Sequence, residues 1–344
     1  MSRRSSNTGT PRVLGNYFTR FSDTISESWN RFWFQKDSPK AVSVLRIVAG
    51  VVALIYALSF TSELAIWFAD GGIMPIDRTN RLIGADDPTV PVYQWSLFKL
   101  AHSATQLYVL HAIAIVSILL FTIGFQARFT AVAATIFVLS YAERAPMLMG
   151  LLEPLLCPVM IYLCLAPCGA YYSVDAWLRA RKGDTEAIPP SFGAHIAVRL
   201  IQVHLVAFYW MMAFAKLGNP VWWNGEAMWW LIAQPENRLI DLTFLRASEG
   251  TRLIVFGWTH MVVFFELAFG LLIWFRIWRP LLTALAVLHW TGLGLVTGHW
   301  EFAILMIGLS FAFSPWESLA LPSPAESEST SKSDRSAEPA NAGA

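Results

Sequence analysis

Apolar runs close to the length of a membrane-spanning helix recur along this sequence of 344 residues. The hydrocarbon core of a bilayer is about 30 Å thick, and an α-helix of roughly 20 apolar residues crosses it. Only 14% of the residues are charged, whereas soluble proteins carry about 25%. Lipid offers no hydrogen-bond partner to a free backbone group, so each run must be helical. The sequence therefore predicts an all-α fold, a polytopic integral membrane helical bundle.

The predicted bundle contains about eight transmembrane helices. Their expected ranges are 41–60, 107–125, 129–143, 147–167, 195–216, 252–275, 280–298 and 301–317. Two further segments, 15–36 and 224–233, predict amphipathic helices that lie at the membrane interface. We expect three regions, which are a basic, amphipathic cytoplasmic arm at 1–40, the transmembrane bundle at 41–317 and a disordered cytoplasmic tail at 318–344.

Basic residues in the connections between spans predict the orientation of the chain. Beyond the N-terminal arm, they occur after the second, fourth and sixth predicted spans as Arg128, Arg179, Arg181, Lys182, Arg276 and Arg279. Because cytoplasmic loops carry the excess of Lys and Arg, we expect both termini in the cytoplasm. The loops 61–106 and 217–251 are then expected outside. The expected location is multi-pass, in a bacterial inner membrane.

Composition and motifs disfavour several classes of function. A net charge of +1 gives no sign of the basic surface that nucleic-acid binding requires. The cysteines are odd in number and helically spaced, so they predict neither disulfides nor a zinc site. No His pair with metal-ligand spacing, phosphate-binding glycine loop or nucleophile elbow occurs in the sequence. Functional residues are therefore expected in the bundle and its two outer loops, with the lipid bilayer as a partner.

One lysine follows a long apolar run in the stretch "YWMMAFAKLGNPVWWNGEAMWWL", where tryptophans surround it. Positions seven apart lie about 20° from alignment on a helix, so Gln202, Tyr209 and Lys216 form one polar stripe. In an apolar, aromatic cavity the neutral amine would be favoured, and it could act as a general base. The alternative is that Lys216 extends to the lipid headgroups and the tryptophans form an interfacial belt.

Other ionisable residues inside predicted spans are candidate functional residues, because inserting each costs about 2.5–3.5 kcal/mol. Glu153 stands beside Pro154 and indicates either a cavity wall or an interhelical hydrogen bond. Glu266 could pair with His289 or with Lys216, either in an active site or as a structural pair. Isolated histidines are more often packing residues than ligands, and those here are His111, His204 and His260.

A series of motifs runs along residues 40–317 in a consistent order. These motifs are "VLRIVAG" with Arg46, "FADGGIMP", "GFQAR", "ERAPMLMGLLEPLL" with Arg144 and Glu153, "LAPCGAYYSVD" with Asp175, "RLIQVHLVAFYWMMAFAKLGNPVWWNGEAMWW" with Lys216, "FELAFGLLIWFRIWRP" with Glu266, and "LHW…GHWEF" with His289. Together they resemble the horizontally transferred transmembrane (HTTM) module, which is the membrane portion of vitamin K-dependent gamma-carboxylases and their bacterial relatives. No single motif is specific, and their order carries the resemblance.

In the carboxylases, the lysine that matches Lys216 is the base that deprotonates reduced vitamin K. This step leads to proton removal from a protein glutamate, to which carbon dioxide adds. The resemblance therefore implies a carboxylase-like or quinone-using enzyme with a reduced vitamin K or menaquinone-type quinol as cofactor. A secreted peptide or protein would be its substrate.

We predict two sets of site residues in an outward-facing membrane cavity. The predicted catalytic residues are Lys216, Glu153, Glu266 and His289. The predicted cofactor-binding residues are Gln202, Tyr209, Trp222, Trp223 and His204, and no metal is expected.

Two departures separate this chain from the carboxylases. They carry a histidine before the fourth span that is important in the glutamate half-reaction, where this sequence has "AERAPML" with Arg144 and Ala145. They also carry a large lumenal domain, whereas a polar tail follows the bundle here. A second hypothesis therefore stays open, which is a non-enzymatic membrane protein. Such a transporter, export accessory or assembly partner would hold a lipid or peptide in the same cavity.

Overall fold

The regular secondary structure of the described residues consists of helices. The computed structural model describes residues 10–69, 71–84, 87, 89, 94–144, 146–184, 186–235 and 239–314, with side chains from residue 20 onward. Ala145, Arg3, Arg4 and the tail at 318–344 lie outside these residues, as do the expectations made for them.

Fourteen α-helices follow one another along the described residues. They are α1 Thr10–Trp33, α2 Lys40–Ser59, α3 Leu64–Phe68, α4 Ile76–Leu82, α5 Ala104–Ile123, α6 Ala127–Arg144, α7 Glu153–Cys164, α8 Val174–Arg181, α9 Phe192–Leu217, α10 Pro220–Trp223, α11 Ala227–Ala233, α12 Glu249–Leu272, α13 Arg279–Thr297 and α14 Trp300–Ser310. Single 3-10 turns occur at Leu97–Leu100, Pro146–Leu148, Thr243–Arg246 and Phe311–Phe313. The predicted all-α fold is confirmed.

Five of these helices, α2, α5, α9, α12 and α13, are long and apolar enough to cross a membrane. A multi-pass membrane protein is therefore confirmed, whereas the number of eight spans stays a prediction. Helix α6 has 18 residues, but charged side chains stand at both of its ends. Helices α7 and α14 are apolar but shorter.

Two predicted spans have boundaries that differ from the helices observed. The range 147–167 contains a helix only over Glu153–Cys164, because a 3-10 turn precedes it and Pro154 stands in its first turn. Proline is favoured at the start of a helix, where its missing N–H has no partner to lose. The range 301–317 contains α14, which ends at Ser310.

Successive long helices run in opposite directions, and this gives the bundle two ends. Thr61 bonds His111 between α2 and α5, and Gln202 of α9 bonds Ala312 just after α14. The described residues of the connections 60–103, 146–152 and 218–248 lie at one end, which we call the Lys216 face. The described residues of the connections 124–126, 165–191 and 273–278 lie at the other, which we call the Arg199 face.

Helices α9 and α12 are antiparallel but axially staggered. Lys216 in the last turn of α9 meets Glu266, while Tyr209 stacks on Phe269 at a centroid distance of 4.1 Å. At 1.5 Å per residue, Glu266 lies about 25 Å along α12 from its first residue. The short helices α10 and α11 pack beside the part of α12 that extends past α9, where Thr259 bonds the backbone of Gly225 and Met228. Lys216 therefore lies beneath α10 and α11.

At the Arg199 face, one turn joins three distant parts of the chain. Gly124 ends α5 with φ +72, and the Asp175 carboxylate accepts hydrogen bonds from the next two free amides, those of Gln126 and Ala127. The Arg46 guanidinium fills the space beside Gly124. This arrangement places the segments of the motifs "VLRIVAG", "GFQAR" and "YYSVD" in contact.

Gly124→Ala is expected to lower the free energy of unfolding by about 2–4 kcal/mol. Alanine is strained in the left-handed backbone conformation of this position, and its Cβ would overlap the Arg46 guanidinium. Gly183 is a matched control, since it has φ +80 and nothing lies within 4 Å of an added Cβ. Gly183→Ala should cost about 1–2 kcal/mol. Unfolding titrations in mixed micelles measure both values, and equal losses would contradict a role for the Arg46 contact.

Candidate functional site

The predicted lysine forms a buried ion pair. Lys216 Nζ donates to Glu266 Oε1 at 2.7 Å and to Oε2 at 2.9 Å. The Glu266 side chain is 1% exposed and that of Lys216 is 17% exposed. Of the two partners considered for Glu266, the structure thus shows Lys216. The lysine side chain is directed into the bundle, toward the middle of α12, and not along α9 to its end.

One of the two predicted tryptophans lies against this pair. The Trp222 ring centroid lies 5.2 Å from Lys216 Nζ, which is a cation–π distance. Trp222 also packs against Met228, Val255 and Val262. Trp223 is 60% exposed, and its indole N–H donates to the Leu217 carbonyl instead. Trp223 therefore does not line the site.

His289 stands beside the ion pair with one ring nitrogen unsatisfied. Its ring lies 4.7 Å from Phe265 and 4.8 Å from Trp290, measured between centroids. It is within electrostatic range of Lys216. Its Nε2 atom is buried and has no hydrogen-bond partner among the residues that the structure describes. A buried polar atom left unpaired costs about 1–3 kcal/mol, so this nitrogen marks a place for a missing hydrogen-bond partner.

Tyr209 and Gln202 extend inward from the ion pair, as the helical phase predicts, but both have fixed partners. The Tyr209 hydroxyl accepts a hydrogen bond from Trp290 Nε1 at 2.7 Å. Gln202 Nε2 donates to the Ala312 carbonyl at 2.7 Å. Fourteen residues separate Gln202 from Lys216, which is about 21 Å along a helix. Tyr209 therefore forms the floor beneath His289, and Gln202 belongs to the Arg199 face.

Glu153 and His204 lie away from Lys216. Glu153 accepts a hydrogen bond from the Gly150 amide at 2.8 Å, and its side chain also bonds Tyr56 of α2. His204 Nε2 lies 3.2 Å from the Pro154 carbonyl. It is rotated about 120° from Lys216 around α9, so it faces α7. These two residues do not join the ion pair.

A second buried network was missed in part by the sequence reasoning. His111 Nδ1 lies 2.7 Å from the Tyr141 hydroxyl, and Nε2 lies 3.0 Å from the Thr61 hydroxyl. This histidine is fully partnered, as the packing interpretation predicts. Arg144 lies nearby, is fully buried and donates to the carbonyls of Phe68 and Met74. Its place at the end of an apolar run is the signal that could have marked it as a buried anchor for Phe68, Met74 and Thr79.

The site that emerges is smaller than the predicted one. It contains Lys216 and Glu266 as an ion pair, His289 with its free Nε2, Trp222 as one wall and Tyr209 as the floor. Within the described residues, no group of three or more His, Cys, Asp or Glu could hold a metal ion. A separate cavity of about 200 Å³ lies between α11 and the start of α12, beside Gly225 and Trp229.

Comparisons with family models, curated proteins and solved structures gave no match to this chain. The resemblance to the HTTM module therefore depends on the order of the sequence motifs alone.

Proposed function

We propose that this protein is an integral membrane enzyme of the HTTM type that moves a proton at a lipid-soluble, quinol-type ligand. The observation that carries the proposal is the buried Lys216–Glu266 pair with the unpartnered Nε2 of His289 beside it. A purely structural pair would require no third, unsatisfied ionisable group in the same apolar space. Perturbed ionisable groups gathered at one buried place are typical of functional sites.

The residues present fit an aromatic ligand that carries hydroxyl groups. The rings of Trp222 and Phe265 offer flat apolar surfaces, and His289 Nε2 offers one hydrogen bond. When bound, a reduced quinone would supply an acidic hydroxyl group and reducing equivalents. The Tyr209 hydroxyl already bonds Trp290 and has Ser310 beside it, so it would define the depth of the site without binding the ligand.

The ion pair would provide the base. Glu266 Oε1 can accept the lysine proton across the 2.7 Å contact, which leaves the Nζ lone pair free to take a proton from a ligand. Trp222 and the overlying α10 and α11 would exclude water, and this strengthens each electrostatic interaction inside. His289 would orient the ligand hydroxyl toward Nζ.

In this proposal the Lys216 face is at the outer side of a bacterial inner membrane, and both termini are in the cytoplasm. Its support is the set of basic residues at the Arg199 face, which includes Arg128, Arg181, Lys182 and Arg276. A secreted peptide or protein would then be accessible as the second substrate of carboxylase-like chemistry. Glu153 and His204 have no part in the proton transfer proposed here.

Lys216→Ala is expected to reduce conversion of a short-chain reduced menaquinone analogue by about 100-fold or more, because general-base catalysis is worth about 10²–10⁴-fold. The assay follows the analogue by mass spectrometry after incubation with oxygen, carbon dioxide and protein in lipid nanodiscs. Lys182, an exposed lysine at the opposite face, is the matched control, and Lys182→Ala should convert at the wild-type rate.

Two results would overturn the enzymatic proposal. The first is equal conversion by the wild type and by Lys216→Ala. The second is tight binding of the analogue by the wild type without any conversion, which would favour the non-enzymatic hypothesis of a lipid-holding protein. Mass spectrometry of the molecule that copurifies in mild detergent distinguishes a quinone from another lipid in that case.

A further inference from the structure

The Arg199 face contains a cluster of three arginines on different elements. Arg199 belongs to α9, Arg279 is the first residue of α13, and Arg276 lies in the turn between α12 and α13. Arg279 is within electrostatic range of both of the others. Like charges in range of one another repel, so a bound anion would stabilise the arrangement.

The described residues around this cluster supply little negative charge. Arg199 donates to the Gln202 side-chain carbonyl at 2.9 Å, and Arg279 donates to the carbonyls of Ile273 and Trp274 at 3.2 Å. These acceptors are neutral. The carboxylate within electrostatic range of Arg199 is Asp37, and its oxygen already lies 2.7 Å from His195 Nδ1.

An aromatic side chain holds the Arg199 guanidinium in place. Arg199 lies 4.7 Å from the centroid of Phe32, whose ring lies 5.9 Å from Trp274. The Trp33 ring packs on the same Phe32 at 5.0 Å, and its buried Nε1 has no partner among the described residues. The cluster thus contains cations whose remaining N–H groups are available and an indole donor that lacks an acceptor.

We propose that this cluster binds the phosphate of an anionic phospholipid headgroup between α1, α9 and α13. Arginine presents a planar fork of donors that matches phosphate oxygens, and basic pockets between membrane helices bind anionic headgroups. The cluster lies near the start of α9, after the end of α12 and at the start of α13. The ends of these long apolar helices correspond to the level of the headgroups. Helix α1 also exposes Phe21, Ile25 and Trp29, which fits contact with acyl chains.

The test compares lipid retention by native mass spectrometry after reconstitution with phosphatidylglycerol or with phosphatidylcholine. The wild type should retain phosphatidylglycerol preferentially. Each arginine lost should weaken retention about fivefold, and Arg199→Gln with Arg279→Gln should weaken it about thirtyfold. Arg128, which is exposed at the same face, is the matched control, and Arg128→Gln should change nothing.

Because the double variant removes bonds that hold backbone carbonyls, Arg276→Gln provides a second measurement. Its side chain is exposed, so the fold should be unaffected while retention still falls about fivefold. Equal retention of the two lipids by the wild type, or unchanged retention by Arg276→Gln and the double variant, would overturn the proposal. Retention of inorganic phosphate by the wild type with no preference for phosphatidylglycerol would also overturn it, because the site would then bind a free anion and not a lipid headgroup.

Discussion

Glu266→Leu is expected to lower the free energy of unfolding by about 3–5 kcal/mol, because it leaves the Lys216 ammonium buried without a counter-ion. Lys216→Met should cost a comparable amount, since the Glu266 carboxylate is 1% exposed and loses both of its hydrogen bonds. The double variant Lys216→Met with Glu266→Leu should recover most of the loss, because apolar residues of similar volume often replace a buried ion pair without cost.

Unfolding titrations of the four proteins in mixed micelles give the coupling energy of the pair directly. The exposed pair of Arg252 and Glu249 is the matched control, with side chains 54% and 92% exposed. Glu249→Gln should change stability by less than about 1 kcal/mol. If the losses of the two single variants add up in the double variant, the residues are not coupled and the geometry of the ion pair is wrong.

Arg46→Met is expected to destabilise the protein by about 3 kcal/mol, because two carbonyl groups on another part of the chain lose their donor. Arg46 is fully buried and donates to Cys168 at 3.2 Å and to Tyr172 at 2.5 Å. Arg46→Lys keeps the charge but cannot reach both carbonyls from one planar group, so it should cost about 1–2 kcal/mol.

The same titrations compare these variants with Arg181→Met. Arg181 is exposed and lies 4.3 Å from the Trp177 ring centroid, so its loss should cost less than about 1 kcal/mol. Wild-type stability in Arg46→Lys would show that the forked geometry is not required.

The helices of the bundle could be predicted because each depends on local information. An apolar run between Ser103 and Gly124 is enough to define α5, since Ser103 caps its first turn and Gly124 ends it in the left-handed conformation. The polar stripe of Gln202, Tyr209 and Lys216 also followed from helical phase, but the phase left open whether Lys216 extends to the headgroups.

The partners within the site could not be predicted in the same way. Periodicity gives the direction of a side chain around its own helix but not the axial position of the neighbouring helix. The stagger of α9 and α12 decides that Lys216 meets Glu266, and no sequence pattern encodes that stagger. Glu153 and His204 were grouped with Lys216 because they are ionisable and apolar segments surround them, but α7 brings Glu153 toward Tyr56 instead.

The turn at the Arg199 face illustrates the same limit. Gly124, Arg46 and Asp175 each appeared in a separate motif, and their contact depends on three segments far apart in the chain. The order of motifs suggested that these positions matter, whereas the physical reason is visible only in three dimensions.

The burial of Glu266 has a consequence for the response of the protein to ionic strength. Mobile ions screen charges in water over about 8–10 Å at physiological salt, but they do not enter the space around the Lys216–Glu266 contact, where the Glu266 side chain is 1% exposed. Added salt should therefore weaken the attraction between Arg252 and Glu249 while leaving the buried pair unchanged. A lysine at the headgroup level would lose its attraction in the same titration.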